Sequence, residues 1–282
     1  MNRMLVLQSD FGLSDGAVSA MYGVALSVNP DLKVSNLTHD IPPYNVWEAS
    51  YRLLQTISYW PEGTVFVSVV DPGVGSKRKS LIAKLNSNHL IITPDNGTLT
   101  HLSRLIGLKE VRELDEVRNR LPHSGESYTF HGRDIYAYTG ARLASGEITF
   151  EEVGESLDPD LITQLPIQEA RVEEQQALGS IDILDVRFGN IWTNIHRSLF
   201  TQLGIQYGDI IDVAIEDGTR QVYKNTMTFG RSFADTSVGK TVLYVNSIDH
   251  MAIGINQGSF AKAYEIGTGH NWKIAIVPTF GK

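Results

Sequence analysis

Gly63-Thr64-Val65-Phe66-Val67-Ser68-Val69-Val70 is the segment that most restricts how this chain can fold. It is almost continuously apolar and rich in β-branched residues, the composition of a strand covered on both faces. It runs directly into Asp71-Pro72-Gly73-Val74-Gly75. Pro72 presets one backbone angle and glycine tolerates positive φ, so the chain can turn sharply and leave Asp71 at the strand end. The ordinary alternative is a plain Asp/Gly turn.

The flanking pattern says what covers that strand. Residues 4–8 form a short apolar run that ends in Ser9-Asp10-Phe11-Gly12. From Gly16, the residues Val18, Met21, Tyr22, Ala25 and Val28 keep helical spacing until Asn29-Pro30 stops them. Residues 34–37 read as a second strand and 46–59 as a second helix. Residues 80–85 and 89–93 read as paired strands, and 135–144 as a further helix. This strand–helix alternation predicts an α/β layer fold. Ligands in such sheets bind beyond the carboxyl ends of the strands, which singles out Asp10 and Asp71.

After about residue 165 the texture changes. The polar stretch 167–175 reads as a connector. Short β-type runs follow at 179–186, 191–195, 209–215, 220–227, 241–246, 251–255 and 272–277, with no helix longer than two turns. The expected architecture is an N-terminal α/β sheet domain over 1–168 and a C-terminal all-β domain, barrel or sandwich, over 178–282.

Composition removes several function classes. The chain has no cysteine, which excludes disulfides, thiolate zinc sites, iron–sulfur clusters and Cys nucleophiles and fits a reducing compartment. A net charge of −8 argues against nucleic acid as a partner, because phosphate contacts need Lys and Arg. Lys77-Arg78-Lys79 is the single basic run, and its ordinary reading is a solvated turn. Met1-Asn2-Arg3-Met4 leads into an apolar run too short for a secretory core, and no segment approaches the roughly 18 apolar residues of a membrane span. The expectation is a cytoplasmic protein with no membrane partner.

Familiar catalytic signatures are missing. Gly73-Val74-Gly75 opens like a dinucleotide fingerprint but lacks the third glycine, and there is no Walker loop, Gly-x-Ser-x-Gly elbow or His-Glu-x-x-His. Other groupings remain. Phe130-His131-Gly132-Arg133-Asp134 sets a histidine among charges ahead of a helix, either an oriented imidazole or a surface histidine. Thr38-His39-Asp40 with Asp10 has the residue types of a metal site, which keeps a metal-dependent hydrolase open. Phe188-Gly189-Asn190 offers an aromatic face beside an amide suited to an adenine edge or a carboxylate, or a glycine bulge among core aromatics.

Taken together and in order, these motifs resemble the S-adenosyl-L-methionine (SAM) hydroxide adenosyltransferase family, the SAM hydrolases, relatives of fluorinase and chlorinase. The carriers are Ser9-Asp10-Phe11-Gly12, His39-Asp40-Ile41-Pro42-Pro43, Val70-Asp71-Pro72-Gly73-Val74-Gly75-Ser76, Pro94-Asp95-Asn96-Gly97, Thr129-Phe130-His131-Gly132-Arg133-Asp134, Phe188-Gly189-Asn190 and Val245-Asn246-Ser247. The resemblance implies an α/β domain followed by a β-barrel. It also implies a homotrimer with each site between one subunit's first domain and its neighbour's second. The reaction would be SAM plus water giving adenosine and methionine, with no metal or organic cofactor. The family's catalytic Asp, Arg and His fall on Asp71, Arg78 and His131, and its ribose-binding Asp on Asp10. Adenine-side contacts fall on Phe188 and Asn190, methionine-side contacts on Asp185 and Ser247. The halogenase relatives carry Tyr-Ser where this chain has His131-Gly132. One departure stands out: the family usually has glycine after Asn-Ser-x, and here Asn246-Ser247-Ile248 is followed by Asp249-His250. A SAM- or adenosine-binding module with little turnover is the remaining alternative.

Overall fold

The computed structural model describes residues 4–125 and 128–279. Of the segment Met1-Asn2-Arg3-Met4, the first three residues lie outside the described residues. The chain divides into two compact units, Met1–Leu165 and Pro166–Lys282.

In the first unit β1 (Leu5–Ser9), α1 (Ala17–Val28), β2 (Val34–Thr38), α2 (Val46–Ile57) and β3 (Val65–Val69) alternate as the apolar spacing predicts. They are followed by β4 (Ser80–Leu85), β5 (Leu90–Pro94), α3 (Thr100–Leu105), β6 (Leu108–Leu114), α4 (Tyr138–Ser145) and β7 (Gly154–Leu157). The sheet order is β2-β1-β3-β5-β4-β6-β7. The first four strands run parallel, and β4, β6 and β7 add antiparallel. The expected pattern did not include α3, β6 and β7. Lys109, Glu110, Arg112 and Glu113 interrupt β6, and α3 is only six residues long, so neither carries a clear period. The helix expected over 135–144 starts earlier, as a π-helical turn Gly132–Ala137 that continues into α4.

Alternation along the strands builds two apolar layers. Leu5, Leu7, Val65, Val67 and Ile92 pack with Met21 and Ala25 of α1 and with Ile135 and Ala141. Val6, Phe66 and Ile91 pack with Leu53 and Ile57 of α2 and Leu102 of α3. The Val, Leu, Ile, Phe and Met side chains among them each contribute about 1.5–3 kcal/mol when fully buried. From β1 the chain crosses to β2 on one side, while β3 lies on the other, with Ser9 opposite Val69. The order of strands therefore reverses at β1, and the loops beyond β1 and β3 form a crevice.

The second unit contains β8 (Arg171–Glu173), β9 (Gln176–Leu184), β10 (Ile191–His196), β11 (Ile210–Asp217), β12 (Arg220–Phe229), β13 (Thr241–Val245), β14 (His250–Ile255) and β15 (Gly269–Pro278). Their order is β10-β14-β13-β12-β11-β15-β9-β8. Pairing of β9 with β10 closes the first seven into a barrel, deciding between barrel and sandwich. The pairs are antiparallel except β12–β13. Ile181, Ile191, Val213, Leu243, Ile253 and Ile274 fill the interior. The stretch 167–175 is not wholly a connector: Arg171–Glu173 forms β8 on the outside of β9. Its alternating polar faces hide the strand signal. Among the described residues no helix is long and apolar enough to cross a membrane.

Candidate active site

The two strand ends singled out by the sequence stand side by side. Asp10 follows β1 and Asp71 follows β3, and both line a cavity of about 370 Å³ shared with Tyr44, Phe130, His131 and Gly132. Asp10 Oδ2 accepts from the Tyr44 backbone N–H at 2.9 Å. Asn96 donates to the Val70 carbonyl at 2.8 Å, which explains the Pro94-Asp95-Asn96-Gly97 motif: it clamps the backbone from which Asp71 hangs. Gly75 adopts φ +76°, a left-handed turn that returns the chain toward Arg78.

Arg78 is not a solvated turn residue. Its side chain is 11% exposed and that of Asp71 5%, whereas Lys77 and Lys79 on either side are exposed. The guanidinium grips Asp71 with two bonds, Nε to Oδ1 at 3.0 Å and Nη2 to Oδ2 at 2.5 Å. Such a fork is worth more than a single contact. Nη2 also donates to His131 Nδ1 at 3.1 Å. Burial disfavours the charge on Arg78, but the bond and charge of Asp71 outweigh it and hold its pKa above the ordinary value. Burial lowers the His131 pKa, and Arg78 adds to that effect against the pull of Glu116. The buried cluster is therefore Asp71 and Arg78 joined to a neutral imidazole.

His39 and Asp40 are arranged differently from a metal pair. His39 is buried, with Nδ1 bonded to Ser9 Oγ at 2.6 Å and Nε2 to Asn36 Oδ1 at 2.8 Å. Both ring nitrogens are occupied, and Asp40 is exposed. His39 is a strut between the loops that end β1 and β2, and the Gly12 N–H bonds its carbonyl at 2.8 Å.

In the second unit Asp185, Phe188 and Asn190 line a cavity of about 740 Å³ with Arg187, Phe233 and Tyr244. Gly189 takes φ +70°, and a Cβ there would meet Ser259 Oγ at 1.8 Å. That glycine lets the turn lie on Ser259, leaving Phe188 69% exposed and Asn190 buried. Asn190 Nδ2 donates to Asp185 Oδ2 at 3.4 Å. Ser247 does not line this cavity; it sits exposed on the turn between β13 and β14.

Residues 5–154 match the SAM hydroxide adenosyltransferase N-terminal domain, and residues 179–273 match the C-terminal domain of the same family. The chain belongs to the SAM hydroxide adenosyltransferase family. It is 35% identical to an (R)-S-adenosyl-L-methionine hydrolase of Methanocaldococcus jannaschii over 78% of this chain and 77% of that one. It is 28% identical to a fluorinase of Actinopolyspora mzabensis over 96% of both chains. A solved structure from Thermotoga maritima, described as an uncharacterized conserved protein, superposes with a TM-score of 0.87 at 30% identity, covering 97% of this chain and 100% of that one.

The departure of this family member at Asp249 leaves a regular turn. Asp249 adopts φ +64°, the left-handed region that glycine takes without cost. Arg197 meets its carboxylate at 2.6 and 3.2 Å, and the Arg197 N–H bonds its carbonyl at 2.8 Å. Asn246 Oδ1 closes the turn by accepting from the Ile248 and His250 N–H groups at 3.0 Å each.

Three residues of the cluster went unread in the sequence. Arg78 Nη1 donates to Ser80 Oγ at 2.9 Å. Ser80 donates to Glu116 Oε1 at 2.6 Å and meets the Tyr136 hydroxyl at 2.8 Å. Burial raises the Tyr136 pKa well above its ordinary value, so the phenol stays protonated. The available signal for Ser80 was its place two residues after Arg78 at the head of a strand. Glu116 carried none, because strand pairing alone brings it close.

Proposed function

We propose that this protein hydrolyses SAM, with the oxygen of water bonding to ribose C5′ as the C5′–S bond breaks. The bonding pair leaves with sulfur as methionine, adenosine forms, and one proton is released. The observation that carries this reading is that Arg78, from behind the cavity wall, bonds both Asp71 and His131, which line one cavity with Asp10. The sulfonium is already a good leaving group, so the protein need not protonate it. Holding the water in line with C5′ supplies about 7–11 kcal/mol of the barrier. Arg78 and His131 hold the water, Asp71 accepts its proton, and Asp10 grips the ribose hydroxyls with charge-assisted bonds. Phe188 stacks on the adenine, and Asn190 bonds its edge. Asp185 and Ser247 serve the methionine end.

The fluorinase-like alternative lacks support at His131-Gly132, where the halogenases carry Tyr-Ser. A Cβ on Gly132 would lie 3.1 Å from the Phe11 ring and 3.2 Å from Val69 Cγ1, so a serine there is crowded. The relatives' name specifies the (R) sulfonium epimer, and the same preference is proposed here. We further propose a cytoplasmic homotrimer in which units from different copies share each substrate, as the resemblance implies.

The test is chelator-treated protein incubated with each SAM epimer in ¹⁸O-water, with and without fluoride or chloride. Adenosine labelled at its 5′-oxygen, unlabelled methionine and no 5′-halo product support the reading. SAM binding without adenosine release overturns it in favour of a binding module.

A further inference from the structure

Arg78 is held from two sides. Toward the cavity it meets Asp71 and His131. On its other side Nη1 bonds Ser80 and reaches Glu116 Oε1 at 3.5 Å. Glu116 does not line the cavity of Asp10 and Asp71. It lines a second recess of about 680 Å³ together with Arg78, Ser80, Lys77, Lys79 and Arg118, and its side chain is 32% exposed. The sheet register brings these groups together. β4 pairs with β6 so that Leu81 lies opposite Glu113, which sets Ser80 beside the loop that follows β6.

The direction of each bond matters. Ser80 gives its hydrogen to Glu116, so its lone pairs are left for Arg78 Nη1 and for Tyr136. A hydroxyl without that acceptor would rotate and withdraw one lone pair. The Arg78 carbon also lies 5.7 Å from the centroid of the Tyr136 ring, so the guanidinium plane is fixed on its face and along both edges. The charged groups facing His131 are Glu116, Arg78, Arg120 and Asp71, and Glu116 and Arg78 line one recess together.

We infer that Glu116 is a positioning residue of the reaction centre: through Ser80 it anchors the outer side of Arg78, so that the inner side faces Asp71 and His131 together. This rests on the hydrolase reading above. Glu116 touches no reacting atom, and its effect passes through the guanidinium.

Four variants test it: Glu116→Gln, Glu116→Ala, Ser80→Ala and the double Ser80→Ala/Glu116→Ala. Glu116→Ala and Ser80→Ala are each expected to lower kcat about tenfold with KM for SAM within about twofold, and the double variant to lose no more than the worse single one. Glu116→Gln keeps the size and an acceptor but not the charge, and it guards against misfolding of the alanine variant. In Glu116→Gln the ¹⁵N NMR titration of the His131 ring should move to lower pH, since a neighbouring negative charge that favours imidazolium is gone. A residue that only supports the fold would lower Tm and leave that titration in place. Wild-type kcat in Glu116→Ala, additive losses in the double variant or an unmoved titration would each overturn the inference. If the wild-type protein releases no adenosine from SAM, the hydrolase reading fails instead, and the His131 titration still decides the role of Glu116.

Discussion

Arg78 Nη2 lies 3.1 Å from Nδ1 of His131, and that contact fixes which nitrogen of the imidazole carries hydrogen. A guanidinium only donates. Nδ1 must therefore accept, and the hydrogen sits on Nε2. Nε2 is buried and has no hydrogen-bond partner among the described residues. In this state His131 can orient a water by donating to its oxygen but cannot take the water's proton at Nε2. This supports the proposal that Asp71, a carboxylate on the same wall, is the acceptor.

A pH profile checks the assignment. Protonating His131 at Nδ1 would set a second cation against Arg78, and burial already lowers its pKa below the ordinary histidine value. We predict that kcat stays level through neutral pH and declines only below about 6.5, the ordinary histidine value. An acid limb centred at 6.5 or above would contradict the neutral tautomer. His131→Ala should cost about 10²–10⁴ in kcat and keep SAM affinity.

Arg78→Lys probes the fork. Lysine retains the charge but cannot bond Asp71 through two nitrogens while also reaching His131 and Ser80. The expected loss in kcat is about 10²-fold, the scale of a misplaced catalytic group. Calorimetry should find Tm nearly unchanged. Wild-type turnover in this variant would mean that charge alone suffices.

Acid should destabilise the first unit through His101. Its ring is buried between the Trp47 and Tyr51 rings, with Nδ1 on Ser50 Oγ at 2.8 Å. Burial, aided by Arg104, pushes its pKa down to about 4. In the unfolded chain it titrates near 6.5. The native state therefore loses stability as pH falls from about 6.5 to about 4, on the order of 3 kcal/mol in total. Urea unfolding at pH 7 and pH 4.5 should record that loss in the wild type and a smaller one in His101→Gln. Equal losses in both would assign the acid sensitivity elsewhere.

The turn at Asp249 predicts an unusual order of stabilities. Asp249→Gly loses a half-exposed ion pair with Arg197 but gains free access to the left-handed conformation, so it should match the wild type within about 0.5 kcal/mol. Asp249→Ala loses the pair and keeps the backbone cost, about 1 kcal/mol or more. Thermal melts that rank alanine level with glycine would show that the turn carries no strain.

Much of this arrangement was legible in the residues. The alternation of strand and helix and the two carboxylates beyond β1 and β3 follow from apolar spacing and from where parallel sheets leave their crevices. Arg78 was legible only by resemblance, since its neighbours Lys77 and Lys79 look like a solvated run. Ser80, Glu116 and Tyr136 were not legible. Their meeting depends on the pairing of β4 with the charge-interrupted β6 and on a helix that departs from its usual winding. Ser247 shows the opposite limit: the motif is plain in the sequence, yet the residue does not line the cavity of Asp185, Phe188 and Asn190.

That winding has a consequence of its own. His131 immediately precedes the π-helical turn and Tyr136 lies within it, five residues on, yet both reach Arg78. In an ordinary α-helix residues five apart diverge by about 140° around the axis, and one of the two would be turned away. An i→i+5 turn brings them nearly into line. The cluster is thus sensitive to helical winding as well as to side-chain identity. Rewinding the same residues as an ordinary α-helix would leave every named side chain present and would still turn Tyr136 away from the guanidinium.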